Sequence, residues 1–261
     1  MKKILCVIML FLCGLLGAQN YELLLDGNIN DFFRLSAQYK QRSEFTFVRL
    51  IYNGRILGYI KNWYTDYPKG DRQLIEMLGR LTNLDIAPKE RALPIHHPDL
   101  FNYPMIYSGE AGQMRLDKSD ARILREYLQR GGFWMIDDFW GTVEWQTFEE
   151  QMAKVLPGAD IVDIPLNHEI FHTEFDIEQI IQVPNIGYAW CQSRCQKWEL
   201  DGYVPRVRGI FDKQGRLMVL INHNTDLMDA SEWADEPLYP QRFSAYAYKI
   251  FTNAVIYAMT H

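Results

Sequence analysis

The chain has 261 residues, of which 48% are hydrophobic, 14% aromatic and 23% charged, and its formal charge is −6. These fractions fit a globular domain and exclude a disordered, collagen-like or coiled-coil chain. A chain of this length buries enough surface to fold without a disulfide scaffold. The acidic balance argues against nucleic acid as a partner, because no basic field offsets phosphate repulsion.

Lys2 and Lys3 precede an apolar run from Ile4 to Leu16 and the small residues Gly17 and Ala18. The run is shorter than the ~20 residues that span a bilayer, and the pattern is that of a secretory signal over 1–18, cut after Ala18. Cleavage removes two positive charges, taking the formal charge from −6 to −8, and removes Cys6 and Cys13. The expected mature protein is exported, periplasmic or secreted, with no transmembrane segment. Residues 19–44 lack a clear period and are expected to form a lead-in. No repeat or low-complexity linker divides the rest of the chain, so 45–261 is expected to be a single domain.

The β-branched and aromatic run FTFVRLIY (45–52) predicts a strand ending at Asn53-Gly54. In DRQLIEMLGRLT (71–82), Leu74, Ile75, Leu78 and Leu81 share one helical face. PMIYS (104–108) predicts a buried strand, and DKSDARILREYLQR (117–130) a helix capped by Asp117 and stopped at Gly131-Gly132. Then come a strand at FWMID (133–137), a helix at FEEQMAKVL (148–156) and a strand at ADIVDIP (159–165). RVRGIFD (206–212) and RLMVLIN (216–222) predict a hairpin, and Phe243 to Met259 a long terminal helix. Strands alternating with helices predict an α/β fold, a mostly parallel, flavodoxin-like sheet with helices on both faces and a late antiparallel hairpin.

Several stretches together resemble the bacterial family called Domain of Unknown Function 4159. They are FVRLIYNG, WYTDYPKGDRQLIEMLGRLT, PMIYSGEAG, LREYLQRGGFWMIDDF, VLPGADIVDIPLNHEIF and KIFTNAVIYAMTH, within residues 45–261. The resemblance implies an α/β fold of the class I glutamine amidotransferase-like type. Glutaminase chemistry would need a cysteine on a tight strand-to-helix turn. The comparable turn here, Asp137-Asp138-Phe139-Trp140-Gly141, offers carboxylates and no thiol, so the activity is not expected to follow the fold.

Asp137 and Asp138 fall where such a sheet presents its carboxyl ends, the usual position of a ligand crevice. In an oxidising compartment the pair Cys191 and Cys195 is expected to form a disulfide, with a zinc half-site as the alternative. HEIFH (168–172) matches a zinc-binding pattern in which His168 and His172 share a helical face and Glu169 polarises water. Its surroundings, with Pro165 before it and no long amphipathic helix, argue against that reading. His96 and His97 are expected to face solvent. NHNTDLMDASEWADE (222–236) reads as a solvated acidic loop, with a calcium site as the sharper alternative.

Asn53 and Asp66 follow the first strand, and Trp140 and Trp233 could serve as platforms for sugar rings. The expectation is a binding or assembly module of the cell envelope, with no required cofactor and an envelope ligand or protein, carbohydrate included, as partner. The ligand would meet Asn53, Asp66, Asp137, Asp138, Trp140, His168, Asp226 and Trp233. The rivals are a glycan hydrolase, with Asp138 and Asp226 as acid and base, and a zinc hydrolase on HEIFH. Paired acids of the first kind stand roughly 5–9.5 Å apart.

Overall fold

The computed structural model describes residues 43–54, 63–191 and 195–261. The expected leader and all but Ser43 and Glu44 of the lead-in lie outside them. Seven strands form one sheet in the order β2-β1-β3-β4-β7-β6-β5. They are β1 (Val48–Ile51), β2 (Arg91–Pro94), β3 (Met105–Ser108), β4 (Phe133–Ile136), β5 (Val162–Asp163), β6 (Arg206–Phe211) and β7 (Leu217–His223). β2, β1, β3, β4 and β7 are parallel, while β6 and β5 add antiparallel at one edge. The α/β fold with a late hairpin is therefore as expected.

The helices are α1 (Lys69–Leu81), α2 (Lys118–Gln129), α3 (Gly141–Val155), α4 (Ile186–Trp190), α5 (Leu227–Glu232) and α6 (Gln241–Thr260). Alternation along the strands splits the core into two layers. Phe133 and Met135 of β4 join Leu74 and Leu78 of α1 and Phe251 of α6. Trp134 and Ile136 point the other way, to Leu124 of α2 and Phe148 of α3. None of the helices in the described residues is long and apolar enough to cross a membrane.

The sequence signals that match the structure are local ones. Asp117 caps α2, accepting from Ser119 and Asp120 N–H, while the Asp120 carboxylate accepts from Asp117 N–H. Gly131 ends that helix at φ 103°, and Gly215 turns the β6–β7 hairpin at φ 91°. One strand carries no expectation, and two expectations need correction. β2 has no local signal, since RALP lacks a β-branched residue and ends in proline. α3 begins seven residues earlier than expected, at Gly141, where Glu144 accepts from the N–H of Trp140 (2.7 Å). The stretch expected to be a solvated acidic loop contains α5, whose first five residues are buried.

Candidate functional site

Chain order reverses at β1: α1 leads to β2 on one side, and β3 lies on the other. In parallel sheets a crevice opens beyond the carboxyl ends of strands at such a reversal. Among the described residues, five non-glycine residues adopt a left-handed backbone, namely Asp66, Glu110, Asp138, Leu200 and Asn224. All five lie in segments at this carboxyl end. Side chains other than glycine disfavour that conformation, and such strain clusters where function requires a fixed geometry.

The loop before α1 is held by Arg49. This side chain is 1% exposed and leaves β1 on the face opposite Val48 and Leu50. Its Nε and Nη2 donate to the two oxygens of Asp71 (3.0 and 2.6 Å). Its Nη1 donates to the carbonyls of Trp63 (3.0 Å) and Thr65 (2.7 Å). Burial works against the charge, but Asp71 more than offsets it and the guanidinium stays ionised. Arg49 thereby fixes the peptide immediately before Asp66.

At the end of β4, Asp137 turns inward and is fully buried. Its Oδ2 accepts from Leu227 N–H (2.9 Å), Met228 N–H (3.1 Å) and the Tyr107 hydroxyl (3.3 Å). It thus docks the first turn of α5 on the sheet, against the peptide that carries Asp226. Among the described residues its Oδ1 has no hydrogen-bond partner. Burial, and then the neighbouring Asp138, holds its carboxyl well above the usual carboxylate range.

Asp138, Asp226 and Asp66 converge, each placing one carboxylate oxygen within 4.8 Å of the others. Asp66, Asp229 and Glu232 form a second triad on the same criterion. Local bonds orient these groups. Asp138 Oδ1 accepts from Trp140 Nε1 (3.0 Å), Asp226 Oδ1 from Asp229 N–H (3.0 Å), and Asp229 Oδ2 from Ile186 N–H. The Trp233 indole works against the rise of both the Asp229 and the Glu232 carboxyl. Burial, reinforced by the neighbouring carboxylates, holds Asp66 and Asp226 well above their ordinary range and raises Asp229 to about 8. Burial also raises Glu232, against the pull of Lys69.

Among the expected site residues, Asp66, Asp137, Asp138 and Asp226 thus meet. Trp140 is completely buried, so it is a wall and a donor to Asp138, not a platform. Trp233 is half-buried at the rim, with Lys69 Nζ 4.2 Å from its ring centroid and Trp190 edge-on at 5.5 Å. Asn53 is exposed beyond β1, its carbonyl accepting from Arg115 N–H (2.7 Å), and it belongs to neither triad.

His168 lies at the other end of the sheet. Its ring stands 5.4 Å from that of Phe211, which pairs with Leu217 at the start of β7. HEIFH forms one 3-10 turn, Glu169–Phe171, instead of a helix. His168 Nδ1 accepts from Ile170 N–H (3.1 Å), and His172 is held by Asp176 and the Leu166 carbonyl (2.8 Å each). The two histidines join none of the candidate metal groups among the described residues. A third grouping, His96, Asp117 and Asp120, coincides with the capping box of α2, whose oxygens already serve backbone N–H groups. Cys191 and Cys195 are joined by a disulfide.

Arg49 is a site residue that the sequence reading misses, while Asp229 and Glu232 enter that reading only within the acidic stretch whose sharper alternative is a calcium site. Asp226-x-x-Asp229 has the spacing of a helix N-terminus, a signal that would have turned the acidic stretch into α5. No curated protein matches the chain at a significant level. The model of the family described as a domain of unknown function, DUF4159, matches residues 46–259, and the chain belongs to that family.

Proposed function

We propose that this protein is a binding module of the cell envelope whose crevice at the carboxyl end of the sheet takes a positively charged ligand, a hard divalent cation in the first place. The observation that carries this reading is the pair of overlapping carboxylate triads, Asp66–Asp138–Asp226 and Asp66–Asp229–Glu232. Five carboxylates cannot all ionise in a buried space without counter-charge. The guanidinium of Arg49 is committed to Asp71 and two carbonyls, and Lys69 reaches only the rim, where it also pairs with Asp235. A bound cation would turn these oxygens into ligands of the kind that calcium, magnesium and manganese prefer.

The glycan-hydrolase alternative receives less support. Asp138 and Asp226 share their space with a third carboxylate, Asp66, so the pair the hydrolase needs is part of a larger acidic cluster. Export rests on the leader pattern of residues 1–18 and is tested by determining the amino terminus of the protein isolated from its cell.

Thermal unfolding, first in EDTA and then with calcium, magnesium or manganese, tests the binding reading. A cation at one hundred times its dissociation constant stabilises by ~2.7 kcal/mol. For a domain of this size that raises Tm by roughly 5–10 °C. No shift with any of the three ions, in a folded protein, would refute cation binding.

A further inference from the structure

We propose that the turn 199–204, together with Val143 at the start of α3, docks a segment of another protein that presents apolar side chains around a lysine or arginine. The surface does not depend on what the crevice holds. Val143, Leu200, Tyr203 and Val204 are 57–71% exposed. Asp201 brings them together, because its Oδ1 accepts from Thr142 N–H (2.8 Å) and its Oδ2 from the Thr142 hydroxyl (2.5 Å). Single apolar residues are ordinary on a surface, whereas a contiguous group marks an interaction site.

The backbone holds these side chains in water at a cost. Leu200 sits at φ 47°, a conformation that a bulky side chain disfavours and that glycine adopts freely. Its side chain is exposed, so burial offers no compensation. The turn is also firmly supported. Gln182 Nε2 donates to the Gly202 carbonyl (2.8 Å) and Asn224 Nδ2 to the Val204 carbonyl (2.7 Å). A Cβ on Gly202 would lie 2.5 Å from Asn224 Oδ1, the same oxygen that accepts from Gly141 N–H (2.8 Å). Apolar groups fixed in this way lose little freedom when a partner covers them.

Charge selects the occupant. Asp201 is exposed, and its bonds with Thr142 hold its carboxyl below the usual carboxylate range, so it is ionised. Among the described residues no lysine or arginine pairs with it, and Arg206, a little further along the chain, is taken by Asp163 (3.0 Å). A bilayer would have to accept that carboxylate along with the apolar groups around it. A second copy packed on the same patch would bring an identical carboxylate across the twofold axis, where like charges repel. A basic residue flanked by apolar ones on a different protein meets both the charge and the apolar surface.

The experiment puts the photocrosslinking residue p-benzoylphenylalanine in place of Tyr203 in the full-length chain, expressed in its own cell. A control chain carries it in place of the exposed Leu166, which lies beside the histidines at the other end of the sheet. Mass spectrometry then identifies the crosslinked peptide. The expected adduct at position 203 is a segment of another protein in which lysine or arginine is flanked by apolar residues, and position 166 should not give it. Synthesised as a peptide, that segment should bind the wild-type protein, and Leu200→Gly should weaken binding about tenfold. Asp201→Asn should weaken it about fivefold, with the difference shrinking at high salt. Leu200→Gly relieves the backbone, so its Tm should not fall, and a fall would make Leu200 a structural residue and overturn the argument. An adduct to lipid, to a second copy or to nothing would overturn the proposal, as would a peptide that binds both variants as tightly as wild type.

Discussion

The two ends of the sheet solve the same problem, turning the chain between strand and helix, with different residues. At the amino end, positive φ falls on Gly131, Gly158 and Gly215, where a side chain would meet nothing within 4 Å. These turns are unstrained, and the histidines nearby have ordinary partners. At the carboxyl end the left-handed positions fall on Gly141 and also on Asp66, Glu110, Asp138, Leu200 and Asn224, and two of those five non-glycine residues are members of the carboxylate triads. Glycine would serve the backbone equally well there. Aspartate and asparagine bear that conformation at the least cost among non-glycine residues, and Asp66, Asp138 and Asn224 are of those types.

The largest test of this contrast is Arg49, whose guanidinium ties β1 to the Asp66 loop. Arg49→Met leaves the Asp71 carboxylate buried without its partner, which should cost about 3–5 kcal/mol in urea unfolding. Arg49→Lys should recover part of the stability, because a single ammonium cannot reproduce the fork on Asp71 and reach two carbonyls. Equal stability of wild type and Arg49→Met would remove Arg49 as the organiser of the crevice.

The next effect is on pH dependence. Asp66, Asp137, Asp226 and Asp229 are raised in the folded state, Asp229 to about 8, so folding binds protons. Their contribution to stability is complete below pH 4 and is lost as pH climbs to 8. His223 has the opposite sign. Burial, and then Arg208, lowers it to about 4, so its contribution is present above pH 6.5 and lost as pH falls to 4. Without divalent ions, Tm should therefore fall between pH 6.5 and 8, and calcium or manganese should flatten that slope. A slope identical with and without cations would mean that the carboxylates do not serve as ligands.

A smaller pair of variants compares the turns directly. Asp138→Gly relieves the left-handed backbone but adds freedom to the unfolded chain, so its stability should lie within about 1 kcal/mol of wild type while cation affinity drops. Gly131→Ala, in open space, should lose about 1–2 kcal/mol through backbone strain alone and leave cation binding unchanged. Loss of more than 2 kcal/mol in Asp138→Gly would make that carboxylate structural. The smallest effect belongs to His168→Ala, which removes a cap from one 3-10 turn. It should cost about 0.5–1 kcal/mol and leave ion stoichiometry untouched, whereas a change in stoichiometry would reinstate HEIFH.

Features that depend on residues close together along the chain are legible in the sequence without any structure. Helix α2 can be read from Asp117, its apolar period and Gly131-Gly132, and β4 from an apolar run behind that glycine pair. The parallel order follows from alternation of strand and helix. Asp66, Asp137, Asp138 and Asp226 can be placed as loop residues beyond strand ends, which is sufficient to aim them at one edge of a parallel sheet.

Which of them meet, and which are buried, is a matter of tertiary structure. Local pattern makes residues 222–236 a solvated loop, because acidic side chains normally seek water. Asp137, ninety positions from Leu227, docks that stretch on the sheet and takes Asp226 and Asp229 out of solvent. Arg49 reads as a lone charge on an apolar strand until Asp71 and the Trp63 and Thr65 carbonyls close around it. His168 shares a sequence pattern with metal ligands but sits at the amino end of the sheet, so no local motif could bring it to the crevice. Composition fixes how much charge a chain carries, while only its long-range contacts fix where burial forces that charge to find a partner.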